Sequence, residues 1–139
     1  MPKMIFVNLP VKDLPASTRF YEAIGCVLNP QFSNESASSM VWSDEIVFQL
    51  LDHDYYQTFT TLPIHDPRAA SGALFALSRD SRAEVDAMVE AAGRAGGTAD
   101  VREPQDMGWM YLRTFADPDG NVFEPAYMDM AAAAQAHGG

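Results

Sequence analysis

Apolar residues along this chain fall into short runs divided by turn-forming residues, and the spacing changes from run to run between alternation and a helical period. Residues 4–9, MIFVNL, are apolar except for Asn8, and their β-branched and aromatic content predicts a strand. Asp13 then offers an oxygen to the free N–H groups of a helix start and Pro15 fits the first turn. Ala16, Phe20, Ala23 and Ile24 recur at helical spacing up to Gly25. Strands follow at 26–32, interrupted by Pro30, at 38–43 and at 45–51, with Ser43 and Asp44 as the turn between the last two. The order is β, α, β, β, β.

Residues 53–71 carry no clean period and are broken by Pro63 and Pro67, which predicts a linker with a short helical turn near Phe59 and a candidate flap. Beyond it the order starts again. Residues 72–78, GALFALS, predict a strand, Ser81 and Glu84 have capping-box spacing, and Val85, Met88, Val89 and Ala92 form the apolar stripe of a helix closed by Gly96 and Gly97. Strands are predicted at 98–103, 108–115 and 121–128, the last two joined by the turn DPDG at 117–120. The Ala-rich residues 129–139 read as a helical tail.

The same five elements thus occur twice, with VFQLL (47–51) and VFEPA (122–126) on corresponding strands. That repeat predicts an α+β fold of two tandem βαβββ modules, 1–52 and 72–128, joined in a single domain over 1–139. Halves of about 70 residues are marginal alone, so each module is expected to need the other.

Composition excludes more than it selects. With 19 acidic and 9 basic residues the formal charge is −10, which repels phosphate backbones and argues against a nucleic-acid partner. The same charge tolerates a neutral or cationic ligand, and equally it serves only to keep a protein soluble. Cys26 is the single cysteine, so an intramolecular disulfide and a Cys-cluster zinc site are both excluded, and its apolar neighbours predict a buried thiol. No run approaches the ~20 apolar residues needed to span a bilayer, and MPKMIFVNLP lacks the pattern of a secretory leader. The expectation is a cytoplasmic protein without membrane contact. No phosphate loop, nucleophile elbow, CxxC pair or HExxH helix is present.

A duplicated βαβββ chain of this length, with VNLPVKDLPASTRFYEAIG near its start and DPDGNVFE near its end, resembles the vicinal oxygen chelate superfamily of glyoxalases, bleomycin-resistance proteins and extradiol dioxygenases. The resemblance covers almost the whole chain. It implies curled mixed sheets around a shared cleft, with a divalent metal held by side chains from the first and fourth strands of each module. Carried to this sequence, those positions are Asn8, Gln49, Leu74 and Glu124. Strand alternation agrees for three of them, since Asn8 shares a face with Met4 and Phe6, Gln49 with Val47 and Leu51, and Glu124 with Val122 and Ala126.

The donor chemistry departs from what the resemblance implies. Glu124 is a strong ligand, Asn8 and Gln49 are weak neutral oxygen donors, and Leu74 coordinates nothing. The expected cofactor is therefore none, or a divalent metal bound weakly at Glu124, Gln49 and Asn8. His53 past a strand end, His65 in the linker and His137 in the tail lack paired ligand spacing, which disfavours a dioxygenase.

Glu124 is the one candidate for a catalytic group, as a general base. Trp109, Tyr111, Arg113 and Phe115 share a strand face, where the arginine either holds an anionic ligand group or pairs with an acid. Met40 and Trp42, with Phe59, either close an apolar pocket or belong to the core. The expected function is binding of a small molecule in a cleft with a degenerate metal site. The alternative is a metal-dependent lyase or isomerase of the lactoylglutathione-lyase kind, and the resemblance also implies a homodimer.

Overall fold

Two sheets, one in each module, carry the fold in the computed structural model, which describes residues 2–136. The modules are compact units that part between Ala70 and Ser71. In module 1 the strands β1 (Ile5–Val11), β2 (Val27–Leu28), β3 (Ala37–Val41) and β4 (Ile46–Asp52) lie in the order β1-β4-β3-β2. β1 runs parallel to β4 and the other pairs are antiparallel. A parallel pair requires a crossover, and α1 (Leu14–Ala23) begins it.

That helix starts where Asp13 accepts the Ala16 N–H at 3.0 Å, and it ends before Gly25, whose φ of +115° disfavours any residue with a Cβ. Its buried face is Leu14, Ser17, Phe20 and Tyr21, continued by Ile24, while Ala23 is exposed. The stripe is thus rotated from the expected one, because the larger Leu14 and Tyr21 bury more apolar surface than alanine. Tyr21 meets Phe48 of β4 with ring centroids 5.8 Å apart, and Thr18 shares a 2.7 Å hydrogen bond with Ser38 of β3. Phe48 and Met40 are register partners and both are buried, so this side of the sheet is the core of module 1.

The strand expected at 26–32 stops at Leu28. Pro30 has no N–H for a ladder, and Pro30–Phe32 instead forms a 3-10 turn whose start is capped by Asn29. After β4, Asp52 accepts the Tyr55 N–H at 2.8 Å and caps α2 (His53–Tyr56), and turn bonds continue from it to Phe59.

Module 2 repeats this plan with broken strands. They are β5 (Leu74–Ser78), β6 (Thr98–Ala99), β7 (Gln105–Asp106), β8 (Met110–Leu112), β9 (Phe115–Ala116) and β10 (Val122–Met128). β10 is flanked by β5 in parallel and by β8 and β9 antiparallel, and β7 and β6 pair outside those. The predicted strand 108–115 is interrupted after Leu112 because the facing Pro125 has no N–H to donate; only its carbonyl is used, by Arg113 N–H at 3.2 Å. The predicted strand 98–103 is cut shorter still. Five residues, 100–104, lie opposite two, 113–114, and bulge out, with Asp100 at φ +51°.

α3 (Arg82–Arg94) begins with Ser81 accepting the Glu84 N–H at 3.1 Å, while the Glu84 carboxylate accepts the Asp80 N–H. Val85, Met88, Val89 and Ala92 are buried as expected, on a helix that packs against β9 and β10. Phe123 lies 5.2 Å from both Phe115 and Phe75 and forms the centre of this second core. The DPDG turn is held by Asp117, a buried carboxylate accepting the N–H groups of Asp119, Gly120 and Asn121. α4 (Met130–Ala136) closes the described chain, and His137 lies outside the described residues. Among the described residues no helix is long and apolar enough to cross a membrane.

Candidate functional site

Strand alternation places Val47, Gln49 and Leu51 on the side of β4 opposite Phe48, away from α1, and that side of module 1 is hollow. One part of the hollow, about 290 Å³, is bounded by Phe6, Asn8, Phe32, Gln49, Tyr55 and Phe59. A second, about 650 Å³, extends over Met4, Ser39, Val41 and Val47 to Asp44. Phe6, Phe32 and Gln49 border both parts. Asn8 and Gln49 are register partners across the parallel pair, and Gln49 Nε2 donates to the Phe32 carbonyl at 3.3 Å. Phe6 and Phe32 line the hollow with rings 57% and 62% exposed.

Asn8, Gln49 and Phe59 therefore meet around one hollow. Met40 does not. It is fully buried on the α1 side with Phe48, and Trp42, half-buried on the same alternation, lines neither part. Sequence reasoning passed over Phe6, although it shares the Asn8 face, and Phe32, whose position depends on the 3-10 turn.

Glu124 of module 2 is 16% exposed in its side chain, and its Oε2 accepts from Arg102 Nη2 at 3.3 Å. Arg102 comes from the 100–104 bulge and was not among the expected site residues. The expected metal position Leu74 stands in register with Val122; the partner of Glu124 is Ala76. Parallel register is set across the sheet and is not visible from the spacing within β5 alone.

Tyr111 and Arg113 belong to a network with the acids Asp86 and Asp100, the acid-pairing alternative for the arginine. Arg113 donates to Asp100 through Nε at 3.0 Å and Nη2 at 2.7 Å, and to Asp86 of α3 through Nη1 at 2.9 Å. The Tyr111 hydroxyl donates to the same Asp86 oxygen at 2.6 Å. That hydroxyl first, and Arg113 second, hold the Asp86 carboxyl below its ordinary range, and the Asp100 bonds push the Arg113 guanidinium up. Arg82 lies 5.0 Å over the Tyr111 ring and binds Asp106 with two bonds, lowering that carboxyl to about 2. Trp109 is half-buried just before β8, its carbonyl accepting from the Asp129 N–H at 2.8 Å.

The residues present do not fit a resident divalent metal. Asn8 and Gln49 are neutral amides, Ala76 offers nothing beside Glu124, and Glu124 is engaged by Arg102. Among the described residues no group of three or more His, Cys, Asp or Glu side chains converges. Cys26 is buried, and burial pushes its thiol up to about 12, so it is no nucleophile.

Tandem βαβββ modules, each with its first and fourth strands paired in parallel, define the vicinal oxygen chelate class of fold. Residues 3–124 match the family described as the Glyoxalase/Bleomycin resistance protein/Dioxygenase superfamily, and the chain belongs to it. Among solved structures, it is similar to a glyoxalase/bleomycin resistance protein/dioxygenase family enzyme from Burkholderia phytofirmans PsJN, at 20% identity and a TM-score of 0.72, over 91% of this chain and 99% of that one. The fosfomycin resistance protein FosX from Mesorhizobium loti is similar at 16% identity and TM-score 0.68, over 96% and 98%. TnmS3, an antibiotic binding protein from Streptomyces sp. CB03234, is similar at 22% identity and TM-score 0.63, over 92% and 97%. At these identities the likeness speaks for the fold. No match is found among curated proteins.

Proposed function

We propose that this chain is a small-molecule binding protein of its superfamily, with its ligand in the hollow of module 1 and no need of a metal to hold it. The observation that carries this reading is the make-up of the walls, where four aromatic rings, Phe6, Phe32, Tyr55 and Phe59, surround the neutral amides of Asn8 and Gln49. Apolar walls supply affinity through burial, and a few amides fix orientation, which is the usual division of labour in small-ligand sites. The description of the structurally similar TnmS3 as antibiotic binding supports it. A lyase would need Glu124 free to move a proton, whereas Arg102 engages that carboxylate.

The reading extends to a cytoplasmic homodimer. The superfamily resemblance supports pairing, and a single buried thiol suits a reducing compartment. A thermal-shift panel of neutral and cationic aromatic compounds, run in EDTA, tests the function. At least one compound class should raise Tm by about 5–10 °C at a hundredfold excess over its Kd. The shift should disappear in the double variant Phe6→Ala, Phe32→Ala, whose exposed rings are not part of the core. The absence of any stabilising class would contradict the proposal.

A further inference from the structure

Five acids of module 2 are engaged by its own groups. Asp86 and Asp100 receive Arg113, Asp106 receives Arg82, Glu124 receives Arg102, and Asp117 accepts three N–H groups in the turn before β10. The corresponding turn of module 1, between β3 and β4, is closed differently. There the Ser43 carbonyl accepts the Ile46 N–H and the Ser43 hydroxyl accepts the Glu45 N–H, both at 3.4 Å. Asp44 in that turn is exposed, and among the described residues no hydrogen bond or ion pair engages its carboxylate.

Asp44 lines the larger part of the hollow, and it is the one charged side chain among the described residues that line either part. The apolar walls beside it are Met4, Phe6, Phe32, Val41 and Val47. We infer that the hollow selects amphiphilic cations, seating an apolar body between Phe6 and Phe32 with a protonated amine at Asp44. This rests on the reading of the hollow as the ligand site. Ring faces attract cations, apolar walls strengthen a nearby charge pair, and the chain's charge of −10 draws cations toward it. An anion would meet Asp44 without any basic residue in the walls to offset it.

The test is an NMR titration of the full ¹⁵N-labelled chain at low salt with three probes that share one apolar body: naphthylmethylammonium, naphthylmethanol and naphthylacetate. The amine should bind about five- to tenfold tighter than the alcohol, with naphthylacetate weakest. Amide shifts should centre on Phe32, Asp44 and Val47, and added salt should narrow the gap. Asp44→Asn should bring the amine and the alcohol within about twofold of each other, chiefly by weakening the amine. Equal binding of all three probes in the hollow, or a preference that survives Asp44→Asn, would overturn the cation selectivity and leave the hollow as a ligand site. If no probe shifts the residues of the hollow, both readings fail together.

Discussion

Gln49 of module 1 and Glu124 of module 2 occupy corresponding places on the strand at the heart of each sheet, yet the surfaces above them differ. In module 1 the outer strand gives way after Leu28 to a 3-10 turn, and the Phe32 carbonyl takes the Gln49 amide at 3.3 Å beside an open hollow. In module 2 the outer strand gives way to the 100–104 bulge, and Arg102 takes the Glu124 carboxylate, also at 3.3 Å. The repeated strand order sets the scaffold, while a few irregular residues between strand fragments decide whether a polar group borders an open hollow or meets a charged side chain of its own module. One duplicated fold thereby yields a module with an open hollow and a module whose polar groups are engaged by its own ion pairs.

The largest expected effects test whether each module holds its own core. Phe48→Ala and Phe123→Ala should each lower the unfolding free energy by about 3–5 kcal/mol in urea titrations. A loss under about 1 kcal/mol at either site would show that the ring is not central to its module. Next comes the ion network. Arg113→Met leaves Asp86 and Asp100 facing each other without their cation, and should cost about 1–2 kcal/mol, a figure reduced because both acids are partly exposed. The same variant should leave ligand affinity in module 1 within about twofold.

The network also fixes a pH dependence. Asp86 and Asp106 are held below the unfolded carboxylate value of about 3.9. Their contribution is therefore complete above about pH 4 and is lost as pH falls toward about 2. Urea titrations at successive pH values should show this loss in the parent chain and a smaller one in Arg82→Met, which frees Asp106; identical profiles would remove Arg82 from the account. Smaller still, Glu124→Gln should change stability by no more than about 1 kcal/mol, since Arg102 is half-exposed. Calorimetric titration of that variant should find ligand affinity unchanged, and a large loss would mean that Glu124 takes part in binding.

Much of the fold was legible because its signals are local. Asp13, Ser81, Gly25 and Gly96 mark helix ends within a few residues of themselves, and the stripe of α3 repeats at the helical period. What depended on partners across a sheet was not. The interruption after Leu112 follows from Pro125 on another strand, and the bulge at 100–104 follows from a register difference between two pairings. The same limit shaped the site. Asn8 and Gln49 were readable as polar groups on apolar strands, whereas Leu74 was placed beside Glu124 although Ala76 stands there. Met40 stayed open between pocket and core because alternation says which residues share a face and not which face meets α1.

The claim that this superfamily member holds its ligand in module 1 without a metal is tested most directly by titrating the neutral probe naphthylmethanol into EDTA-treated protein. The titration is repeated after adding Mn²⁺, Ni²⁺ or Zn²⁺, with amide shifts followed at Phe6, Phe32 and Gln49. The account predicts shifts at those residues and a Kd that stays within about twofold in every condition. Binding that is absent after EDTA and restored by one of the metals would contradict it.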